Sequence, residues 1–134
     1  MAFKKKIKTT RIDTLVGRHS KIVGDIHYGG GLHIEGIVEG NIMAESEDKG
    51  VVIISELGTV EGEIRGPSII INGTVHGNVY ATGTIELAAG AKINGNVYYN
   101  LLEMTVGAEV NGNLVHQEPS KASANTPTKI TETG

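Results

Sequence analysis

The sequence predicts an all-β solenoid, a single-stranded parallel β-helix of about six coils with a triangular cross-section. Three observations support this prediction. A short unit of aliphatic, polar, glycine, polar and aliphatic residues occurs six times. The copies recur at intervals of 15 to 22 residues, and a pair of aliphatic residues separated by one position precedes five of them. Alternation with a period of two is typical of strands, so each coil is expected to consist of short strands.

The repeated unit defines the coils. Its six copies are Ile22–Ile26, Val38–Ile42, Val60–Ile64, Val75–Val79, Ile93–Val97 and Val110–Leu114. Subtracting the numbers of successive central glycines, from Gly24 to Gly112, gives periods of 16, 22, 15, 18 and 17. Repeats of this length bury their apolar sides only by stacking on one another. The sequence therefore predicts a stack of coils with one continuous core.

The second aliphatic pair shows where the coils differ in length. The pairs are Leu32 and Ile34, Val52 and Ile54, Ile69 and Ile71, Ile85 and Leu87, and Leu102 and Met104. The pair lies eight and six residues before Gly40 and Gly77, but ten and eight residues before the other three glycines. We therefore expect the length to vary mainly at one corner. The polar run 45–50 accounts for the longest period and is predicted to be a loop.

Aliphatic residues at matching positions are expected to stack into ladders inside the coils. The predicted core ladder consists of Val38, Ile42, Val60, Ile64, Val75, Val79, Ile93 and Val97. Each buried side chain of this size contributes about 1.5 to 3 kcal/mol to stability. The glycines between the two columns suit a bend where backbone approaches backbone. The polar residues that follow them, mostly asparagines, are expected to form hydrogen-bonded ladders along the axis.

Composition divides the chain into three parts. Residues 14–116 are predicted to form the β-helix domain, whereas residues 1–13 and 117–134 are predicted to be disordered. The first part carries five of the twelve basic residues and a single acid, Asp13, which leaves seven basic and fourteen acidic residues for the rest. An acidic body disfavours nucleic acid as a partner. The chain has no cysteine, which fits a reducing compartment.

The basic first segment is a candidate membrane tether. It contains Phe3, Lys4, Lys5, Lys6, Ile7 and Lys8. Lysines near an anionic leaflet contribute about 1 kcal/mol each, and the two apolar side chains add to this by insertion. One copy would bind a membrane weakly, whereas many copies on one polymer would bind it firmly. A solubilising terminus without a membrane role is the alternative.

The sequence gives no support for a catalytic centre or a cofactor. The five histidines do not have the HExxH spacing, and no P-loop or GxSxG context occurs. His33 and Glu35 could share a strand face and form a weak metal site, but the pattern favours two outward polar residues that flank Ile34. The rival class is the left-handed β-helix of hexapeptide acyltransferases. The four-residue Val-x-Gly-x-Val interval disfavours it, because such enzymes repeat in hexads.

The chain from about Leu15 to Leu114 resembles the bactofilins, which are bacterial polymer-forming cytoskeletal proteins. The six glycine-centred units, including GTVEGEI and GAKINGNV, carry the resemblance. It implies a right-handed β-helix without enzymatic activity that polymerises end to end into nonpolar filaments without nucleotide. It also implies attachment to the inner face of the cytoplasmic membrane through anionic lipids. Further partners would be peptidoglycan-modifying or other scaffolded proteins, with roles in cell shape.

The ends of the β-helix are the expected polymerisation surfaces. A β-helix exposes unpaired backbone groups and the cut face of its core at each end, and no amphipathic helix that could cover either end is evident in the sequence. By the resemblance, the interface residues are Leu15, Val16, Ile22 and Ile26 at one end and Val110, Leu114 and Val115 at the other. Bactofilins often have a phenylalanine in the final coil. Here Leu114 takes that role, because the only phenylalanine is Phe3.

Overall fold

The computed structural model describes residues 12–46 and 49–118, which contain sixteen strands and no helix. The strands form six successive coils. The first two coils contain β1 (Thr14–Val16), β2 (Lys21–Val23), β3 (Ile26–Tyr28), β4 (Gly31–Ile34), β5 (Ile37–Glu39) and β6 (Ile42–Ala44). The third and fourth contain β7 (Val51–Ile54), β8 (Thr59–Glu61), β9 (Ile64–Ile71), β10 (Thr74–His76) and β11 (Val79–Leu87). The last two contain β12 (Lys92–Asn94), β13 (Val97–Tyr99), β14 (Leu101–Met104), β15 (Glu109–Asn111) and β16 (Leu114–His116).

The coils stack so that their strands form three faces, and every strand pairing is parallel. Face A contains β1, β4, β7, the second halves of β9 and β11, and β14. Face B is the six-stranded sheet of β2, β5, β8, β10, β12 and β15. Face C contains β3, β6, the first halves of β9 and β11, β13 and β16. The prediction of a parallel β-solenoid of about six coils is confirmed.

Aliphatic side chains from all three faces fill the interior. The eight residues of the predicted core ladder are fully buried, as are the face A residues Ile34, Val52, Ile54, Ile71, Ile85 and Leu87. No polar or charged residue is buried among the described residues. The interior is therefore a narrow aliphatic prism, which agrees with the scarcity of aromatic residues in the chain.

Coils of different length keep their register because the extra residues lie at corners. Between faces A and B, two residues connect Ile34 to Ile37 and Ile71 to Thr74, whereas four residues separate Leu87 from Lys92. The strands on either side still pair in register, for example Val75 with Ile93. The corner between faces B and C always has two residues, the repeat glycine and the polar residue after it. The longest separation between successive strands is that between β6, which ends at Ala44, and β7, which begins at Val51.

The repeat glycines form a column of close backbone contacts. A β-carbon at Gly40 would overlap the carbonyl oxygen of Gly24, and the same holds for each later glycine over the one before it. The φ angles of Gly40, Gly62, Gly77 and Gly95 lie between 153° and 159°. Close approach of the coils is therefore the main reason that this corner requires glycine.

Tyr28 fills the interior near the corner between faces C and A. It is the inward residue of the first coil at a position where the next coils have Ala44, Gly66 and Ala81. Its side chain reaches the third coil, because a β-carbon at Gly66 would overlap the Tyr28 hydroxyl oxygen. The small residues of the intervening coils therefore make room for one large ring.

The predictions of disordered ends lie largely outside the described residues, as does the whole of the candidate tether, Phe3 to Lys8. The described residues adjoining both ends already belong to the ladder. Asp13 N donates to Gly31 O over 2.8 Å, and Gly31 N donates to the Asp13 carboxylate over 2.9 Å. At the other end, Gln117 N donates to Tyr99 O over 2.6 Å.

Candidate assembly surfaces

Within the described residues, the first coil leaves the aliphatic interior open at one end of the rod. Ile22 pairs with Val38 in the same inward column, but 37% of Ile22 is exposed whereas Val38 is fully buried. Ile26 is likewise only partly buried, although its neighbour Ile42 is fully buried. The difference arises because the second coil is covered on both sides and the first coil on one. The exposed inward side chains form a flat aliphatic surface.

The sixth coil leaves the opposite end open in the same way, as far as residues 12–46 and 49–118 show. Leu114 pairs with the fully buried Val97 and is 42% exposed. Met104 pairs with the fully buried Leu87 and is 44% exposed. Val110 completes this end as a partly buried residue. The two ends thus expose side chains from several faces of the prism.

The structure distributes the predicted interface residues over two kinds of position. Ile22, Ile26, Val110 and Leu114 are inward residues of the terminal coils, and Val16 is also inward but buried. Leu15 pairs with His33 and Val115 with Tyr98, and these pairs lie in outward columns of faces A and C. Leu15 and Val115 therefore lie at the edge of the end surfaces, on the outside of the coil.

Sequence reasoning did not assign two further residues to the sixth-coil end. Both Leu102 and Met104 are inward residues of that coil. The spacing of Leu102 and Met104 marks them as a strand pair. Continuing the face A register from Ile85 and Leu87 to the last coil would have placed them at the open end.

The backbone is open at the same two ends. Among the described residues, the strands of the first coil pair only with the second coil, and those of the sixth only with the fifth. Unpaired strand edges are templates for pairing with another chain. An end surface therefore combines an uncovered apolar core with three short strand edges.

A side-chain ladder follows the same stacking and also stops at the ends. The side-chain carbonyl of Asn78 accepts from Asn96 N over 2.9 Å, and that of Asn96 accepts from Asn113 N over 3.0 Å. Asp25 and Asn41 each accept from the next coil in the same way. The expected ladders along the axis thus connect side-chain oxygen to backbone N–H at this corner. A ladder between side chains occurs on face B, where Asn111 Nδ2 donates to Asn94 Oδ1 over 3.0 Å.

The lateral faces contain no group suited to metal chemistry in the described part of the chain. His33 Nε2 lies 3.3 Å from the Glu35 carboxylate, which permits electrostatic attraction when the imidazole is protonated. The contact is not aligned as a hydrogen bond. His33 and Glu35 are thus a pair on the outside of face A, without a third ligand.

Among the described residues, one titratable group has a strongly shifted pKa, and it lies in the interior. Burial raises the pKa of the Tyr28 hydroxyl from 10.0 to about 12, because the phenolate would lose its hydration. The hydroxyl has no hydrogen-bond partner in the part of the chain that the structure describes. Tyr28 therefore fills space and is not arranged to exchange protons with a ligand.

The stacked parallel coils define a β-solenoid whose two ends are open within the described residues, and the comparison with known families gives its class. Residues 14–115 match a family whose description is polymer-forming cytoskeletal. The chain belongs to the bactofilin family. Neither a curated protein nor a solved structure matches it.

The family assignment gives the chain a structural, cytoskeletal class. Within residues 12–46 and 49–118, no helix has the length and apolar character needed to cross a bilayer. The matched range begins at β1 and ends within β16, so it covers all six coils. The family match therefore covers the whole β-helix, including the first and the sixth coil.

Proposed function

We propose that the chain self-assembles end to end, without nucleotide, into nonpolar filaments at the cytoplasmic membrane and scaffolds cell-wall or morphogenesis proteins. The observation that carries this proposal is the exposure of inward aliphatic residues at both ends. Ile22 at one end and Leu114 at the other occupy positions that are fully buried in the inner coils. Covering both ends removes apolar surface from water, which favours association.

End-to-end contact would also give hydrogen-bond partners to the unpaired backbone groups of the terminal strands. A second copy placed on an end adds coils to all three faces, as in β-augmentation. In a nonpolar filament, first coil meets first coil and sixth coil meets sixth coil, so each junction is a two-fold contact between identical surfaces. Because each molecule has two such surfaces, the stacking continues without a fixed end. Neither contact requires energy from a nucleotide.

The membrane part of the proposal rests on the composition of the first residues. Phe3 and the three lysines after it combine an insertable ring with positive charge, a combination that favours anionic lipids. Polymerisation would multiply this weak attachment. A filament fixed to the inner face of the membrane would then provide repeated lateral faces for peptidoglycan-modifying or other scaffolded proteins.

Sedimentation of the purified chain at two concentrations, without nucleotide or metal, tests the central claim. We expect the pelleted fraction to rise with concentration, and negative-stain microscopy of the pellet to show filaments. A discrete trimer at both concentrations would contradict the proposal. That result would instead favour the acyltransferase alternative, which would be checked by binding of an acyl thioester.

A further inference from the structure

A groove runs along the corner between faces C and A, on the side of the rod. Its first part has a volume of about 210 Å³ and is lined by Met43, Ala44, Ser46, Arg65, Gly66, Tyr80 and Thr82. The small residues Ala44 and Gly66 leave the surface recessed at this corner. Larger outward residues of face C form one wall of the groove. The groove thus crosses the second, third and fourth coils.

The chain itself closes the second part of this groove. A depression of about 110 Å³ shares Arg65, Tyr80 and Thr82 with the first part and is completed by Gln117 and Glu118. Gln117 belongs to the sixth coil and is held by its hydrogen bonds to Tyr99 O and Asn100 Nδ2. The described chain therefore turns back from the sixth coil toward the fourth, and does not continue over the open end.

The wall of the groove is held in position by contacts between coils. The rings of Tyr80 and Tyr98 are stacked, with centroids 4.7 Å apart and planes within 2° of parallel. The Arg65 guanidinium lies 4.0 Å from the centroid of Tyr80, on the groove side of the stack. Asn78 Nδ2 lies 3.4 Å from the Tyr80 hydroxyl. A segment that enters the groove thus meets the edge of the Tyr80 ring and the Arg65 guanidinium that covers its face, both held in position, which lowers the cost of binding.

The next residues of the sequence match this groove in chemistry and in length. Pro119 follows Glu118 directly, and aromatic grooves accept proline well. Lys121 lies three residues beyond Glu118, a reach of about 10 Å in extended chain. Two coils span a similar distance, about 10 Å at the strand spacing. The exposed Glu45 directly precedes Ser46, which lines the second-coil part of the groove.

We propose that the start of the segment 119–134, residues 119–121, docks in this groove of its own molecule, with Pro119 against the edge of the Tyr80 ring and Lys121 paired with Glu45. The segment then lies along the edge of the aromatic stack and stays on the side of the rod, which leaves the sixth-coil end accessible. The charges favour a path of the segment toward the second coil. The segment has two lysines and one glutamate, whereas the connection 45–50 has three acids and one lysine. The proposal does not depend on filament formation.

Engineered cysteines test the docking directly, because the natural chain has none. In the full chain, Met43→Cys is combined with Ser120→Cys, which leaves both proposed partner charges intact. The control combines Ile37→Cys with Ser120→Cys, since Ile37 is exposed in the same coil but on face B. We expect the disulfide between positions 43 and 120 to form at least about tenfold faster, as a docked segment has a high effective concentration.

Mixing normal chains with isotopically heavy chains identifies the chain that supplies each cysteine. Mass spectrometry of the crosslinked peptides should then show partners of the same isotope. Equal rates for the two cysteine pairs would overturn the docking. Disulfides between light and heavy chains would place the segment on another molecule and overturn the intramolecular assignment.

The ion pair has a separate test in the same Met43→Cys and Ser120→Cys background. Lys121→Glu should slow disulfide formation several-fold, because it places two carboxylates together. Adding Glu45→Lys should restore the rate, and the effect of the charge reversal should weaken in high salt. Failure of the exchanged charges to restore the rate would remove Glu45 from the proposal.

Discussion

Gly95 lies so close to the carbonyl oxygen of Gly77 that a β-carbon at position 95 would overlap it. This relationship repeats from coil to coil and is absent at Gly24, where no atom lies within 4 Å of such a β-carbon. The glycine column is therefore a product of stacking. Each coil requires glycine because another coil lies directly against it.

Gly95→Ala should strongly destabilise the rod. The added methyl group must push two backbones apart, and we expect the free energy of unfolding to fall by about 3 kcal/mol or more. Urea denaturation monitored by circular dichroism measures the change. Gly17→Ala is the control, because nothing lies within 4 Å of its β-carbon. Equal stability of the two variants would contradict the close contact.

Leu114→Arg should prevent filament formation without unfolding the monomer. The substitution places an unpaired charge in the proposed junction, at a cost of several kcal/mol. Leu101→Arg is the matched control, because Leu101 is exposed in the same coil but points outward, next to Thr84. We expect negative-stain images of filaments only for the control. Filaments from Leu114→Arg would remove this residue from the junction.

Single cysteines at the ends determine the polarity of the filament. In a nonpolar filament, Ile22→Cys chains should form disulfides with one another, and so should Leu114→Cys chains. A head-to-tail filament would instead place Asn113 below Asp25 and continue the side-chain ladder. It would give crosslinks only when the two variants are mixed. Non-reducing gel electrophoresis of each variant alone and of the mixture separates these outcomes.

Deletion of residues 2–8 should abolish pelleting with liposomes that contain anionic lipid, while polymerisation remains. The segment supplies the inserted ring and the lysines that are proposed to bind the membrane. Lys121→Ala with Lys129→Ala removes two positive charges elsewhere and should still pellet. If the deleted chain also pellets, the segment is not the tether and its role is limited to solubility.

Tyr28 should make the rod less stable in alkali. The pKa of its hydroxyl is raised from 10.0 to about 12 in the folded chain, so the folded state holds the proton more tightly than the unfolded state. Stability is then fully present below pH 10 and falls between pH 10 and 12, by about 1 kcal/mol per pH unit. Denaturation of the wild type and of Tyr28→Phe across this range measures the effect. A parallel decline in both would exclude Tyr28 as the cause.

Stacking along one direction explains why so much of this fold could be predicted from sequence. The spacing around Val38 and Val60 repeats, so the same inward column follows once one coil is placed. The corner that absorbs length was also predictable, because the aliphatic pair of a short coil lies closer to its glycine. Pattern alone specifies these features since each coil contacts only its neighbours.

Features that depend on exact register or on contacts across several coils were harder to predict. Leu15 is an aliphatic residue of the kind expected in the core. Its pairing with His33 nevertheless places its side chain on the outer side of face A. The Tyr28 ring passes the second coil to reach Gly66, a contact that no nearest-neighbour rule predicts. The asparagine columns were expected, but the spacing of the coils at the glycine corner directs their side-chain oxygens to backbone N–H groups.

The variable corner between faces A and B has a practical consequence for imaging. Since coils with two or four residues there stack equally well, this corner is the natural place to splice in a peptide epitope. Exposed Leu57 and its neighbour Glu56 lie at such a corner in the third coil, midway along the rod. An epitope inserted between them would project sideways from every subunit. Antibodies could then decorate the polymer in cells without blocking its growth.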